Sequence, residues 1–369
     1  MRERQRFSLE HLAEVSGVPA PTLAALEQGH PGITTAQLDD VASALELDLV
    51  ALLSGREVAR PVPSIFMRHT PMQDFDYADA AVLDDAIHEA RQLTDLHTSL
   101  RERPWPLEAA LFVARAAAAD SPSAPAKDGY RLAREVRHWL SLDGAAAPDA
   151  RALLEERFGI AVLVRAFKST RVTAVGVRSG PAAAVVLRAG DPERAKNPLL
   201  ARVHLAHELC HLLFDPSTGG LHIVIDAVAD RVEHAAEQRA RAFAAEFLLP
   251  LEGLTALFGP PLDVNETSKA LELVARARSH FGTPHEIAAH HLCNMHFVDA
   301  RLRDWLRAAT TTFVGSAPAT SLPGTGAPSR QLLEYAERAH RDAVLTDGEA
   351  RVVLGLDRLA PLPWDVIEP

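Results

Sequence analysis

Between Phe7 and Gly55 the chain has no lysine or arginine. The same stretch carries the acids Glu10, Glu14, Glu27, Asp39, Asp40, Glu46 and Asp48. Phosphate contacts supply much of protein–DNA affinity and depend on cations, so a segment of this charge repels a duplex. The whole chain, at −11 over 369 residues, offers no global basic field either. Cysteine is scarce: Cys210 and Cys293 are the only two. That excludes a disulfide framework and suits a reducing compartment, so a cytoplasmic protein is expected. The opening "MRERQRFSLEHLAEVSG" has no apolar core of the secretory kind. No apolar run reaches the roughly 18 residues of a membrane span, so no membrane association is expected. Hydrophobic residues make up 47% of the sequence, enough for a sizeable core in two or three domains. No internal repeat is present.

Residues 8–54 read as short helices punctuated by glycine and proline, with breaks at Gly17 and Gly29. Residues 56–120 are mostly helical, interrupted at Pro104 and Pro106. "DSPSAPAKDG" (120–129) reads as a linker and "GSAPATSLPGTGAPSR" (315–330) as a flexible one. Two helices are expected across 130–158. Three strands follow: "IAVLVRA" (160–166), "VTAVGVR" (172–178) and "AAAVVLR" (182–188), each bounded by turn residues. Helices are expected over roughly 195–214 and 229–248, the second stopping at Pro250. Further helices fill the region beyond it, and a short one lies near 331–343. The fold class is α+β, mostly α, with a small three-stranded sheet.

"RVHLAHELCHLLFD" (202–215) carries His207, Glu208 and His211 in the spacing His-Glu-x-x-His. Residues four apart share a helix face, so the two imidazoles can meet one ion. Glu208, rotated by about 100°, faces the reacting water. Neutral nitrogen ligands suit Zn²⁺, and a catalytic zinc takes three protein ligands and one open position. Glu208 is then placed to take a proton from water and pass it to the leaving amine. This chain has 17 histidines, so two of them four apart on an ordinary amphipathic helix is the competing reading. About thirty residues on, Glu237 begins the string Glu-x-x-Ala-x-x-Phe-Ala-x-x-Phe-Leu-x-Pro. A carboxylate there is the gluzincin arrangement, with Glu233 and Glu246 as rivals for the third ligand.

Together, "FGI", "RVHLAHELCHLLF" and "EQRARAFAAEFLLP" resemble the ImmA/IrrE family of bacterial metallopeptidases over roughly residues 130–300. The resemblance implies that His207, His211 and Glu237 hold Zn²⁺ and that Glu208 is the general base. Cys210 stands where the family has glycine and Arg241 where it has asparagine. Cys210 reads either as a thiolate able to fill zinc's open position or as a small hydrophobe. The oxyanion-stabilising group is not legible: His204, His222 and His234 are near the motifs, whereas Tyr77, Tyr130 and Tyr335 are distant in sequence. "AAAVVLR" is the expected edge strand along which a peptide substrate would add.

Residues 8–54 resemble the XRE/Cro-type helix-turn-helix family in their apolar positions and Gly17. The base-reading positions would hold Pro19, Ala20, Pro21 and Thr22, so protein contacts are expected of this module rather than duplex DNA binding. "FGTPHEIAAHHLCNMHFVD" is also helix-turn-helix-like. His285 and His290, like His291 and His296, are five apart, which suits no single metal-binding face. The expected organisation is a five-helix XRE-like module over 1–55, a helical connector and linker over 56–128, and a zinc peptidase domain over 129–255. A helical extension over 256–314, a linker over 315–330 and a tail over 331–369 follow. The resemblance implies an endopeptidase that cleaves a partner helix-turn-helix repressor in a stress, DNA-damage or anti-phage response. The alternative is a non-catalytic regulator or anti-repressor acting by protein binding.

Overall fold

The computed structural model describes residues 8–28, 34, 37, 41, 77–100, 105–118, 124–170, 172–215, 221–227, 235–309 and 320–365. The chain divides into two units, Met1–Ser64 and Ile65–Pro369. In the first, α1 (Leu9–Ser16) and α2 (Ala20–Glu27) are separated at Gly17, whose φ of +68° is the left-handed turn that glycine adopts at no steric cost. Leu12, Val18, Leu23 and Val41 form its small core. The other helices expected of a five-helix module lie outside the described residues.

The second unit begins with α3 (Tyr77–Ser99), α4 (Pro106–Ala118) and α5 (Pro125–Trp139). Residues 125–129, read from composition as linker, are already helix. Pro125 sits at the helix start, where its missing N–H is not needed. A short turn, α6 (Ala150–Leu153), is capped by the Asp149 carboxylate and leads into the sheet. Its strands are β1 (Ile160–Arg165), β2 (Val172–Ser179), β3 (Ala182–Arg188) and β4 (Leu221–Ala227), in the order β1-β3-β2-β4. β1 and β3 pair in parallel, whereas β2 runs antiparallel to both β3 and β4. The three expected strands are joined by a fourth that the sequence reading passed over.

β3 is not the edge strand that its sequence leads one to expect. β3 lies between β1 and β2. Its run of small and branched apolar residues is buried on both faces, the pattern of an interior strand. Helix α3 covers one face of the sheet and α8 (Leu200–Phe214) the other, with α7 (Pro192–Lys196) leading into α8. The core runs through both layers, from Leu83, Ala90 and Leu93 across Val162 and Val186 to Leu205, Leu209 and Leu212.

Beyond β4, α9 (Ala235–Leu248) packs along α5 and α8. The α5–α9 crossing is close: a Cβ at Gly129 would run into the carbonyl of Arg239. Buried Arg137 closes the far end of α9, donating to the carbonyls of Phe247 (2.5 Å), Asp143 (2.8 Å) and Ala145. α10 (Leu251–Phe258), α11 (Thr267–Phe281), α12 (His285–Asn294) and α13 (Arg303–Ala308) complete this side.

The segment read as a flexible linker is seated on the domain over its described part, residues 320–329. The Gly326 N–H donates to the Val164 carbonyl at the β1 edge (3.0 Å), and Arg165 reaches the Ala327 carbonyl (2.9 Å). The Ser329 N–H donates to the buried Glu89 carboxylate (2.6 Å). α14 (Arg330–Arg341) then packs on α3, and α15 (Asp347–Val353) follows it. Among the described residues no helix is long and apolar enough to cross a membrane.

Candidate metal centre

α8 is apolar on nearly every face because it is buried between the sheet and α9. Leu205, Leu209 and Leu212 pack in the core, and His207, Glu208 and His211 are carried in with them. Burying polar side chains without partners is costly, so the surroundings must answer them. α9 does so. Its first turn brings Glu237 to the two histidines: Glu237 Oε2 lies 3.3 Å from His207 Nε2, and Oε1 lies 3.3 Å from His211 Nε2. The two Nε2 atoms are 3.0 Å apart. All three residues are buried, and they form the metal-competent group found among the described residues.

These separations can be compared with coordination geometry. Ligand atoms roughly 2.0–2.1 Å from one ion at tetrahedral angles stand about 3.3 Å apart. Two imidazole nitrogens and a carboxylate with mutual distances of 3.0–3.3 Å fit that requirement. The surrounding carboxylates also act on the His211 imidazole. Burial opposes a charged His211, but hydrogen bonds to Asp215 and Glu237, with the charges of Asp215 and Glu208, outweigh it and lift the group to about 10. Burial likewise opposes the Glu237 carboxylate, yet its hydrogen bonds to His207 and His211 carry it well below the usual carboxylate range. The pocket collects positive charge, as protons or as a metal ion.

Glu208, on the same helix as the two histidines, lies against the sheet. A Cβ on Gly176, in the middle of β2, would lie 2.9 Å from Glu208 Oε2 and 3.4 Å from the Leu212 side chain. The absent side chain at Gly176 is the space in which the Glu208 carboxylate sits. Asp215, immediately after α8, accepts a hydrogen bond from His211 Nδ1 (2.9 Å), and its other oxygen accepts from Arg239 on α9. The sequence reading singled out none of Gly176, Asp215 or Arg239. Two of them carried a signal: a glycine inside a strand marks close approach, and Asp215 follows His211 by four residues, one helical turn.

The remaining candidates are dispersed. Glu246 is fully buried but sits elsewhere on α9, bonded to Arg134 (2.8 Å), His291 (3.2 Å) and the Leu251 N–H (3.1 Å). Glu233 and His234 lie outside the described residues. His204 faces Arg194 (3.3 Å), which is itself bonded to the Thr173 carbonyl. His222 is in β4, in register with Arg178. Cys210 is fully buried; burial pushes its thiol up, against a lowering contribution from Arg239, and the metal-competent group does not include it. Tyr130 accepts from Asn294 Nδ2 (2.9 Å), on the α12 side of α5. His285 and His291 bond to the carbonyls of Leu306 and Leu249, and exposed His296 to Asp263, so these histidines do not converge.

Two histidines and a glutamate from the next helix, with a second glutamate inside the His-x-x-x-His turn, are an arrangement consistent with a metallopeptidase. Residues 155–292 match the family model Peptidase_M78, the IrrE N-terminal-like domain. The match begins in the turn before β1 and ends on α12, so it takes in the whole sheet and both site helices. Residues 1–154 lie outside it, the helix-turn-helix-like segment among them. No curated protein is similar enough to the chain to count as a match.

Proposed function

We propose that this chain is a zinc-dependent endopeptidase. The observation that carries the reading is the convergence of His207, His211 and Glu237 at 3.0–3.3 Å inside the M78-like domain, with Glu208 buried beside them. The donor set, two neutral nitrogens and one carboxylate, suits Zn²⁺ with one position left open. Zinc held there supplies Lewis acidity, polarising a peptide carbonyl and making water more acidic. Glu208 then acts as general base and acid, taking the proton from the attacking water and delivering it to the leaving amine. Its carboxylate lies between α8 and Gly176.

An extended substrate segment requires a strand edge. The β1 edge receives the 320–329 segment at Val164, and β3 is interior, so among the described residues β4 is the edge left for a peptide. The substrate we propose, on the resemblance alone, is a helix-turn-helix repressor of a stress, DNA-damage or anti-phage response. The acidic N-terminal module fits protein contact better than duplex DNA. Co-expression of Glu208→Gln and unaltered protein with a candidate repressor, followed by mass spectrometry of fragments, tests the reading. Cleavage by the unaltered chain and none by Glu208→Gln, with zinc retained in both, is the expected result. Zinc in both and cleavage by neither favours the non-catalytic regulator.

A further inference from the structure

We infer that Asp215 and Arg239 form a positioning relay that sets the tautomer and orientation of His211 and fixes the spacing between the two ligand-bearing helices. The inference rests on the zinc reading above and concerns residues that do not themselves touch the ion.

The relay begins with where α8 ends. Asp215 leaves the helix in an extended conformation (φ −80°, ψ 134°) while its own N–H still bonds to the His211 carbonyl. That turn places the carboxylate beside the His211 ring rather than in solvent, and Asp215 is 2% exposed. The 2.9 Å contact makes Nδ1–H the donor and Asp215 Oδ2 the acceptor. A neutral imidazole has one N–H, so a proton held at Nδ1 leaves the Nε2 lone pair free for a metal. Nε2 is the atom facing His207 and Glu237. A carboxylate at this position also raises the ligand's basicity.

The second half of the relay is between helices. Asp215 Oδ1 accepts from Arg239, two residues after Glu237 on α9. One guanidinium thus joins the end of the helix carrying His207 and His211 to the start of the helix carrying Glu237. The 3.3 Å separation of Glu237 Oε1 from His211 Nε2 depends on how these helices meet. Just beyond, the Gly129 crossing pins α9 from its other side. Arg239 acts here as a spacer whose length matters, and lysine, a compact point charge on a different stem, would not reproduce it.

The test measures metal affinity rather than activity. Full-length protein is stripped of metal and titrated with Zn²⁺ in competition with a chromophoric chelator. Cobalt is substituted in parallel and its visible absorption recorded. Asp215→Ala is expected to weaken zinc binding by about 10–100-fold, Asp215→Asn and Arg239→Lys by about tenfold, with altered cobalt spectra. Circular dichroism melts of the metal-free proteins identify variants that fail to fold, and Asp215→Asn, nearly isosteric, keeps the comparison open if Asp215→Ala does so. Zinc bound tightly by unaltered protein, with the same affinity and cobalt spectrum in Asp215→Asn and Arg239→Lys, overturns the relay alone. Absence of zinc binding by the unaltered protein overturns the metal reading, and the relay with it.

Discussion

A methyl group added at Gly176 tests the placement of Glu208, the proposed general base, without touching it or the proposed metal ligands. The Cβ of Gly176→Ala would stand 2.9 Å from Glu208 Oε2, while its contact with Leu212, at 3.4 Å, is only slightly tight. Ordinary carbon contacts begin near 3.5 Å, so the carboxylate must retreat by about half an ångström or more. Retreat costs the fold little, since the obstructed atom is the far end of a flexible side chain rather than backbone. Alanine also suits a strand interior somewhat better than glycine. Melting temperature and metal content should therefore stay near those of the unaltered protein. Catalysis should not, because a misplacement approaching 1 Å costs on the order of 10²-fold in rate. The assay is hydrolysis of a quenched-fluorescence peptide library by the zinc-loaded protein, with zinc content and thermal melts measured on the same samples. A Gly176→Ala enzyme of unchanged rate would refute the assignment of Glu208 as a base held in that gap.

Other perturbations probe the frame around the site. Glu246→Ala leaves half-exposed Arg134 and buried His291 without their carboxylate and should lower unfolding free energy in urea by about 1–3 kcal/mol. Burial alone would raise the Glu246 carboxyl, but hydrogen bonds and charge from His291 and Arg134 hold it below its ordinary 4.5. Its contribution is complete above that value and is lost as pH falls through the depressed folded-state value, so Glu246→Gln should flatten the acid limb of a stability–pH curve. Arg165→Ala removes the partner of Glu89 (2.8 Å) and of the Ala327 carbonyl. It should expose residues 320–329 to limited proteolysis, and unchanged protease resistance would count against the seating described.

The strands over 160–188 were legible because short branched apolar runs between turn residues have few alternatives. Their order was not. Pairing β1 with β3 across β2 is a non-local choice that periodicity does not encode, and it reversed the role expected of "AAAVVLR". β4 was missed although "LHIVIDA" has strand character, because it lies between two helices that absorbed the reading. At the site, the ligand spacing on one helix was visible in His207 and His211, and Glu237 followed from the resemblance. What escaped depends on distances between elements: the gap above Gly176 exists only because α8 crosses β2 there, and Arg239 meets Asp215 only because α9 packs on α8. The seating of residues 320–329 escaped for a different reason. Glycine and proline composition indicates the absence of helix and strand, but it does not reveal hydrogen bonds to a neighbouring strand edge.

If His207, His211 and Glu237 hold one catalytic zinc, as proposed, metal analysis of purified protein reads it out. Elemental quantification by mass spectrometry, after dialysis against metal-free buffer, should give about one zinc per chain in unaltered protein and in Glu208→Gln. His211→Ala and Glu237→Ala, each confirmed as folded by circular dichroism, should give almost none. Unaltered protein without metal, or a full equivalent of zinc retained by folded His211→Ala and Glu237→Ala, would contradict the account.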